Sequence, residues 1–412
     1  MVSRRAFLRR GGAAGLAGLS GLAGCTLGDT PEPLLERDAP SPGLLATPWA
    51  APRSDRRNTG VPGAVGPGNV PGVAWRGGFS TRPRIRAPPV AVDDDLFVLD
   101  DRRGRVSCLA VADGRTRWTA SVGPVGDGVA PTVTDDRVYL AAGRTLRALT
   151  RDGDDRWRVD FPGAVRGVTV GDSLFVSTAD GTPGCYAVAP DSGTVRWAVE
   201  TGLVVAPAAH DGDTVVVGDM RGTVSCLDAA SGETLWRRET PDAWVQAAPV
   251  VADGRVFVGT GTAPLDGGHL VAYDHADGTV DWQRPLADAA AFSSFACDGS
   301  RLFAVDSRGV LRRLDAASGA LDWRFSSRDP FDSAVSNVTL DFAPAVANGL
   351  VTYAGPDERL HVVETDAATD GSEVGARFRG DVRATSAPTV AGGALFVGTR
   401  SGVVAVGDAS AD

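Results

Sequence analysis

Val224-Ser225-Cys226-Leu227-Asp228-Ala229-Ala230-Ser231-Gly232-Glu233-Thr234-Leu235-Trp236, followed a few residues later by Ala248-Pro249-Val250-Val251-Ala252-Asp253-Gly254-Arg255-Val256-Phe257-Val258-Gly259, decides the fold. The second piece reads as an apolar strand, an Asp-Gly turn and another apolar strand, which is a hairpin. In the first piece a strand runs into Asp228, a Ser-Gly pair turns the chain, and a last strand carries Trp236. Gly232 suits that turn because it accepts a positive φ at no steric cost. Four short strands within about 40 residues, with no helical periodicity, make one unit.

Outward from this unit the chain repeats itself. Trp75, Trp118, Trp157, Trp197, Trp236, Trp282 and Trp323 recur at about 40 residues. A glycine stands four positions before the last six of them: Gly114, Gly153, Gly193, Gly232, Gly278 and Gly319. Pro89, Pro131, Pro207, Pro249, Pro344 and Pro388 each lie eight positions before Phe97, Tyr139, Val215, Phe257, Thr352 and Phe396, and Gly167 and Phe295 take the Pro place in the third and sixth units. The units begin near Ala87, Ala130, Arg166, Ala206, Ala248, Ser294, Ala343 and Ala387. This predicts an all-β chain, an eight-bladed β-propeller of four-stranded antiparallel blades. The eighth unit ends before any Trp strand, whereas Gly72-Val73-Ala74-Trp75-Arg76 is a Trp strand without a unit. The N-terminal strand around Trp75 is therefore expected to complete the last blade and leave no open edge. In the seventh unit Phe378 or a neighbour replaces the Trp.

The chain has 412 residues, 43% hydrophobic and 22% charged, enough for a large core. A formal net charge of -10 opposes nucleic-acid binding. All 41 basic residues are Arg. With Asp far exceeding Glu, that usage resembles proteins of halophilic archaea, and a GC-rich genome would have a similar effect.

The first residues read as an address. Ser3-Arg4-Arg5-Ala6-Phe7-Leu8-Arg9 resembles the twin-arginine export motif, and the apolar stretch after it, residues 11–23, falls short of the ~20 needed to span a membrane. Leu22-Ala23-Gly24-Cys25 resembles a lipobox, which makes Cys25 the lipid attachment point. Residues 1–24 are thus expected to be a signal peptide, residues 25–49 a tether rich in Pro, and residues 50–412 the propeller. The expected location is the outer face of the cytoplasmic membrane.

The repeated unit A-P-x-V-x-x-D-G-x-V-F-V-G, then V-x-x-L-D-A-x-S-G-x-x-x-W, resembles the pyrroloquinoline-quinone-type propeller repeat from about Trp75 to Val406. The resemblance implies that each outer-strand Trp docks between neighbouring blades. In architecture this ring is similar to the lipoprotein propeller of the bacterial outer-membrane assembly machine. Quinoprotein alcohol dehydrogenases of this fold carry an adjacent Cys pair, a stacking Trp and a calcium site, and this chain has no adjacent Cys. We therefore expect no enzyme activity, no cofactor and no metal site. Cys108, Cys185 and Cys226, sharing the third-strand position, and Cys297 in an inner strand read as small buried hydrophobes. His210, His269, His275 and His361 have no metal-ligand spacing and read as solvated loop residues. Gly259-Thr260-Gly261 reads as a Gly-rich connection, and the Asp clusters at 93–95 and 152–155 as solvated turns.

Loops joining second to third strands share a face with those joining blade to blade. That face carries the largest insertions, residues 260–268 and 326–341, and long loops on a rigid ring are usual carriers of binding. Arg82, Arg84, Arg86, Trp244, Gln246, Arg328, Asp329 and Phe331 are the candidate partner-binding residues, an Arg and aromatic set of the kind that anchors interfaces. Asn337 opens a glycosylation sequon. The expected function is a membrane-anchored, non-catalytic scaffold, a monomeric ring that binds a protein partner at the cell surface. The alternatives are a quinone-dependent dehydrogenase and a surface receptor for a small ligand or glycan.

Overall fold

The computed structural model describes residues 55–61, 71–78, 83–125, 129–179, 184–262, 267–287, 289–290, 293–327, 343–376, 378–380 and 382–408. Among these every regular element is a strand, and the strands form eight sheets, one for each repeat. The molecule is the eight-bladed propeller that the repeat predicts.

Blade 5 shows the plan. Val250–Ala252, Arg255–Gly259, Gly267–Asp274 and Val280–Ala287 pair in that order, from the inner strand at the hub to the outer strand at the rim. Asp253 and Gly254 turn the first hairpin with φ of 49° and 69°, the pair of positive angles that a type I′ turn requires. Across the sheet Phe257 stands opposite Ala272, and Ala272 opposite Trp282. The same column is Phe97, Cys108 and Trp118 in blade 1, and Phe303, Arg313 and Trp323 in blade 6. In blade 4 it runs through Val216 rather than Val215, because the stretch from Pro207 to the turn carries one extra residue. Cys226 belongs to this column but Cys185 does not: it pairs with Val199, and Ala187 faces Trp197.

The eighth blade closes as expected. Pro71–Gly78 pairs antiparallel with Gly402–Asp408, so the two ends of the ring share one sheet. In the seventh blade Phe378–Gly380 is the outer strand, with Phe378 opposite Val362 where other blades place Trp. The long connection before it crosses to blade 6, where Ser372–Glu373 adds in parallel to the outer strand Leu321–Ser326 as a fifth strand. That detour explains why the Gly turn and Trp of the repeat are missing there.

Blades are joined by the Trp residues. Six indoles, those of Trp75, Trp118, Trp157, Trp197, Trp236 and Trp282, lie on the turn glycine of the following blade. They donate Nε1–H to a carbonyl of that turn, as Trp75 does to Val111 at 2.8 Å, Trp157 to Pro190 at 2.8 Å and Trp282 to Ala316 at 2.9 Å. Trp323, which meets no described turn glycine, donates to the Thr365 carbonyl at 3.0 Å. A Cβ on Gly319 would stand 2.6 Å from the Trp282 ring. The repeat glycine is thus held to Gly twice, by its φ of 66° and by the neighbour's indole.

At the hub two devices tie the inner strands together. Thr132, Thr169 and Thr389 each donate their hydroxyl to a carbonyl of the next blade, on Val168, Ala208 and Pro89. Blades 4 to 7 lack such threonines, and there residues 55–61 cross the inner strands instead. The amides of His210, Val251, Cys297 and Val346, one in each of those blades, donate to the carbonyls of Arg56, Arg57, Thr59 and Gly60 at 2.7–3.1 Å. Asn58, 3% exposed, bridges the Ala208 and Pro249 carbonyls of blades 4 and 5 with its amide group. This strap lies near the Asp-Gly turns, on the face opposite the long loops.

Candidate functional site

The long-loop face is built on linkers held down by acids. The loop between second and third strands opens with a buried Asp in three blades. Asp100 accepts the amides of Arg84 and Arg102, each at 3.1 Å; Asp219 accepts those of Gly202, Arg221 and Thr223; Asp306 accepts those of Arg308 and Val310. Each carboxylate shapes its own loop, and Asp100 and Asp219 also hold the incoming linker. The recurrence Asp219-Met220-Arg221-Gly222 and Asp306-Ser307-Arg308-Gly309 is the signal from which these residues were legible.

On this face Arg84 and Arg86 flank Ile85, and Trp244 and Gln246 flank Val245. Ile85 and Val245 are both 0% exposed. Each caps a glycine of the preceding blade: a Cβ on Gly398 would lie 2.4 Å from Ile85, and one on Gly218 2.3 Å from Val245. The two linkers are equivalent, entering blades 1 and 5, which stand opposite each other in an eight-fold ring. The candidate residues therefore form two sets facing across the channel mouth, not one contiguous patch. Arg84 is exposed, and Arg86, Trp244 and Gln246 are half-buried. Arg82, Arg328, Asp329, Phe331 and Asn337, like Arg4, Arg5 and Cys25, lie outside the described residues.

Blade 5 departs from the Asp pattern. Thr260 stands in the Asp place, fully buried, and the carboxylate comes from the linker as Asp242. Asp242 accepts the Thr260 hydroxyl and lies 2.8 Å from Nδ1 of His269, while the His269 amide donates to Thr260 Oγ1 at 2.9 Å. Two backbone hydrogen bonds between Trp244 and Gly261 complete the clasp. Gly259-Thr260-Gly261 thus anchors the linker that presents Trp244.

Three of the four histidines are strand residues rather than solvated loop residues, and His275 is a half-buried turn residue. His210 and His361 are 2% and 0% exposed, in an inner and a third strand. Burial lowers the His210 pKa, and its ring packs on Phe175 at 4.8 Å. His361 stacks on Tyr353 and holds both Asp357 oxygens through Nε2, at 2.9 and 3.1 Å. His275 reaches Thr214 of the preceding blade at 2.8 Å. The strands of His210 and His361 are packed on both faces, and short-range spacing carried no sign of that. Asp95 is likewise no solvated turn residue, since it lies in a strand and pairs with Arg117 and Arg151. The thiols of Cys108, Cys185 and Cys297 are pushed by burial to about 12 and that of Cys226 to about 11, far from the thiolate that redox chemistry or metal binding needs. Among the described residues no group of three or more His, Cys, Asp or Glu is placed to hold a metal ion.

Fold and face together define a propeller of quinoprotein-type repeats whose hub is strapped on one side and whose blade-to-blade linkers, held by acids, lie on the other. A profile of the family described as outer membrane protein assembly factor BamB matches residues 72–182 and 184–411, and the chain belongs to that family. The Bordetella pertussis outer membrane protein assembly factor BamB is 29% identical over 361 residues, covering 81% of this chain and 86% of its own. The crystal structure of BamB from Moraxella catarrhalis, at 18% identity, superposes with a TM-score of 0.63 over 83% of this chain and 99% of its own. A quinohemoprotein alcohol dehydrogenase from Pseudomonas putida HK5, at 13% identity, gives 0.62 over 87% and 79%. At such identities the last two speak for the fold alone.

Proposed function

We propose that the chain is an exported, membrane-anchored, non-catalytic scaffold that binds a protein partner through its long-loop face. In this reading residues 1–24 carry Arg4 and Arg5 as the export signal, Cys25 takes the lipid, residues 25–49 form the tether and residues 50–412 the ring. Membership of a family whose described members are assembly factors supports a scaffold. The observation that carries the choice of face is the strap. Residues 55–61 cross the hub beside the Asp-Gly turns, bonded to four blades, whereas the opposite mouth presents Arg84, Arg86, Trp244 and Gln246 on linkers fixed by buried acids.

Site-specific crosslinking in intact membranes tests this. A photo-reactive residue at Trp244 or Arg84 of the full-length chain should capture one and the same partner, and the same residue at Asp253 should capture none. Capture from Asp253 alone, or from none of the three, would refute the assignment.

A further inference from the structure

Arg166 is out of keeping with the other arginines. The half-buried ones pair with acids or carbonyls: Arg151 with Asp95, Arg312 with Asp306, Arg313 with Asp322, Arg238 with the carbonyls of Asp277 and Gly278. Arg166 is half-buried, its Nε is shut off from solvent, and no hydrogen bond or ion pair joins it to any described residue. None of the described acidic residues lies against it.

Its placement comes from the backbone. The inner strand of blade 3, Ala164–Val170, pairs Val165 with Thr178 and Gly167 with Ser177, so that Arg166 is an extra residue at a bulge. Bulges re-aim side chains. Val165, Val168 and Val176 pack towards blade 2, with Tyr139 and Leu146, whereas Phe175 and Cys185 pack towards blade 4, with Val204 and Ala208. By the two-residue alternation of strands, Ser177 and Gly167 face blade 4, and Arg166, next after Val165, emerges on that same side. The Ser177 hydroxyl is 0% exposed and also has no partner. One face of one blade junction thus holds a buried guanidinium Nε–H and a buried hydroxyl with no acceptor among the described residues, an arrangement that is costly for buried donors.

We propose that Arg166 and Ser177 bind a small monovalent inorganic anion of about the size of chloride at the hub edge between blades 3 and 4. A single cation calls for a single negative charge. Space selects for small size, since a Cβ on Gly167 would already stand 2.4 Å from Pro207. The negative charge of the whole chain disfavours polyanions.

Bromide is the probe. Crystals of the protein soaked in bromide should show an anomalous peak within hydrogen-bond reach of Arg166 and Ser177, absent from Arg166→Met crystals. In solution Tm should be higher in sodium chloride than in sodium gluconate of equal ionic strength, by about 2 °C or more, because an anion that binds only the folded state stabilises it by mass action. That difference should vanish in Arg166→Met and in Ser177→Ala. Bromide found only at exposed arginines, an adventitious ion only, would overturn the proposal. So would a chloride effect of the same size in both variants.

Discussion

Trp236 of blade 4 lies on Gly278 of blade 5, its Nε1–H donating to the carbonyl of His275 at 2.9 Å, and a Cβ on Gly278 would stand 2.6 Å from the indole. Two residues of different repeats, 42 positions apart, thus form one joint, and the joint recurs around most of the ring. Because each Trp meets the turn of the next blade, the spacing of the repeat also describes how the repeats fit together.

Gly278→Ala should be costly. Its φ of 72° is unfavourable for a residue with a side chain, and the methyl group would collide with the indole. We expect a loss of about 2–4 kcal/mol, from left-handed strain and overpacking together. Gly254→Ala is the control, with a similar φ of 69° but no atom within 4 Å of the added Cβ, and should cost about 1–2 kcal/mol. Denaturant unfolding of both variants measures the difference; equal losses would contradict the joint.

The strap should carry stability out of proportion to its length. Asn58→Ala takes the side-chain donor from the Pro249 carbonyl and leaves the Ala208 carbonyl with the Thr169 hydroxyl alone, a loss of about 1–3 kcal/mol. Hydrogen exchange should quicken at the amides of Val251, Cys297 and Val346. Three truncations rank the elements: removal through Ala50 should leave the melting transition in place, removal through Val61 should lower it, and removal through Gly78, which also takes the closing strand, should lower it most.

Alkaline pH should destabilise the ring through its thiols. Cys108, Cys185 and Cys297 are raised to about 12, and Cys226 to about 11, mainly by burial, so the folded chain keeps protons that the unfolded chain releases from about pH 9. Their contribution is complete below that pH and is lost as pH rises towards 11–12, with Tyr139 and Tyr273, raised to about 12, adding above pH 10. Denaturant midpoints between pH 8 and 11 should fall, less steeply in Cys185→Ala. At pH 8 a thiol reagent should label none of the four before unfolding.

Cys25→Ser should release the full-length protein from membranes without changing its Tm, since the expected anchor lies ahead of the strap and the ring. Fractionation and thermal melting decide this together. A mutant that stays membrane-bound would end the lipobox reading.

Much of the fold was legible because blade strands and their turns are local. Trp282, Gly278 and the Asp253-Gly254 turn sit at fixed offsets, and the orphan Trp75 strand pointed to its own partner by completing the count. The strap was not legible, since it works through backbone carbonyls of residues 56, 57, 59 and 60, and a carbonyl leaves no mark on side-chain pattern. The candidate site was legible in part. Arg84, Arg86, Trp244 and Gln246 lie on the face assigned to them, but their division across the channel mouth depends on which blades stand opposite, a relation set by ring closure. His269, Asp242 and Thr260 meet because linker and insertion fold onto each other, and nothing in their separate positions foretold it.

The sequence by itself determined that there would be eight blades and that the N-terminal strand would close them, and it placed the column of residues in most sheets, though not Val216 in blade 4 or Ala187 in blade 3. These follow from hydrophobic alternation, turn chemistry and a repeat period, all properties of neighbouring residues. Only the tertiary structure decided which mouth of the hub is strapped, which histidines are buried, and that Arg166 has no described acid beside it. Those outcomes depend on distances between residues of different blades, and such distances exist only once the ring has closed and each blade has packed on the next.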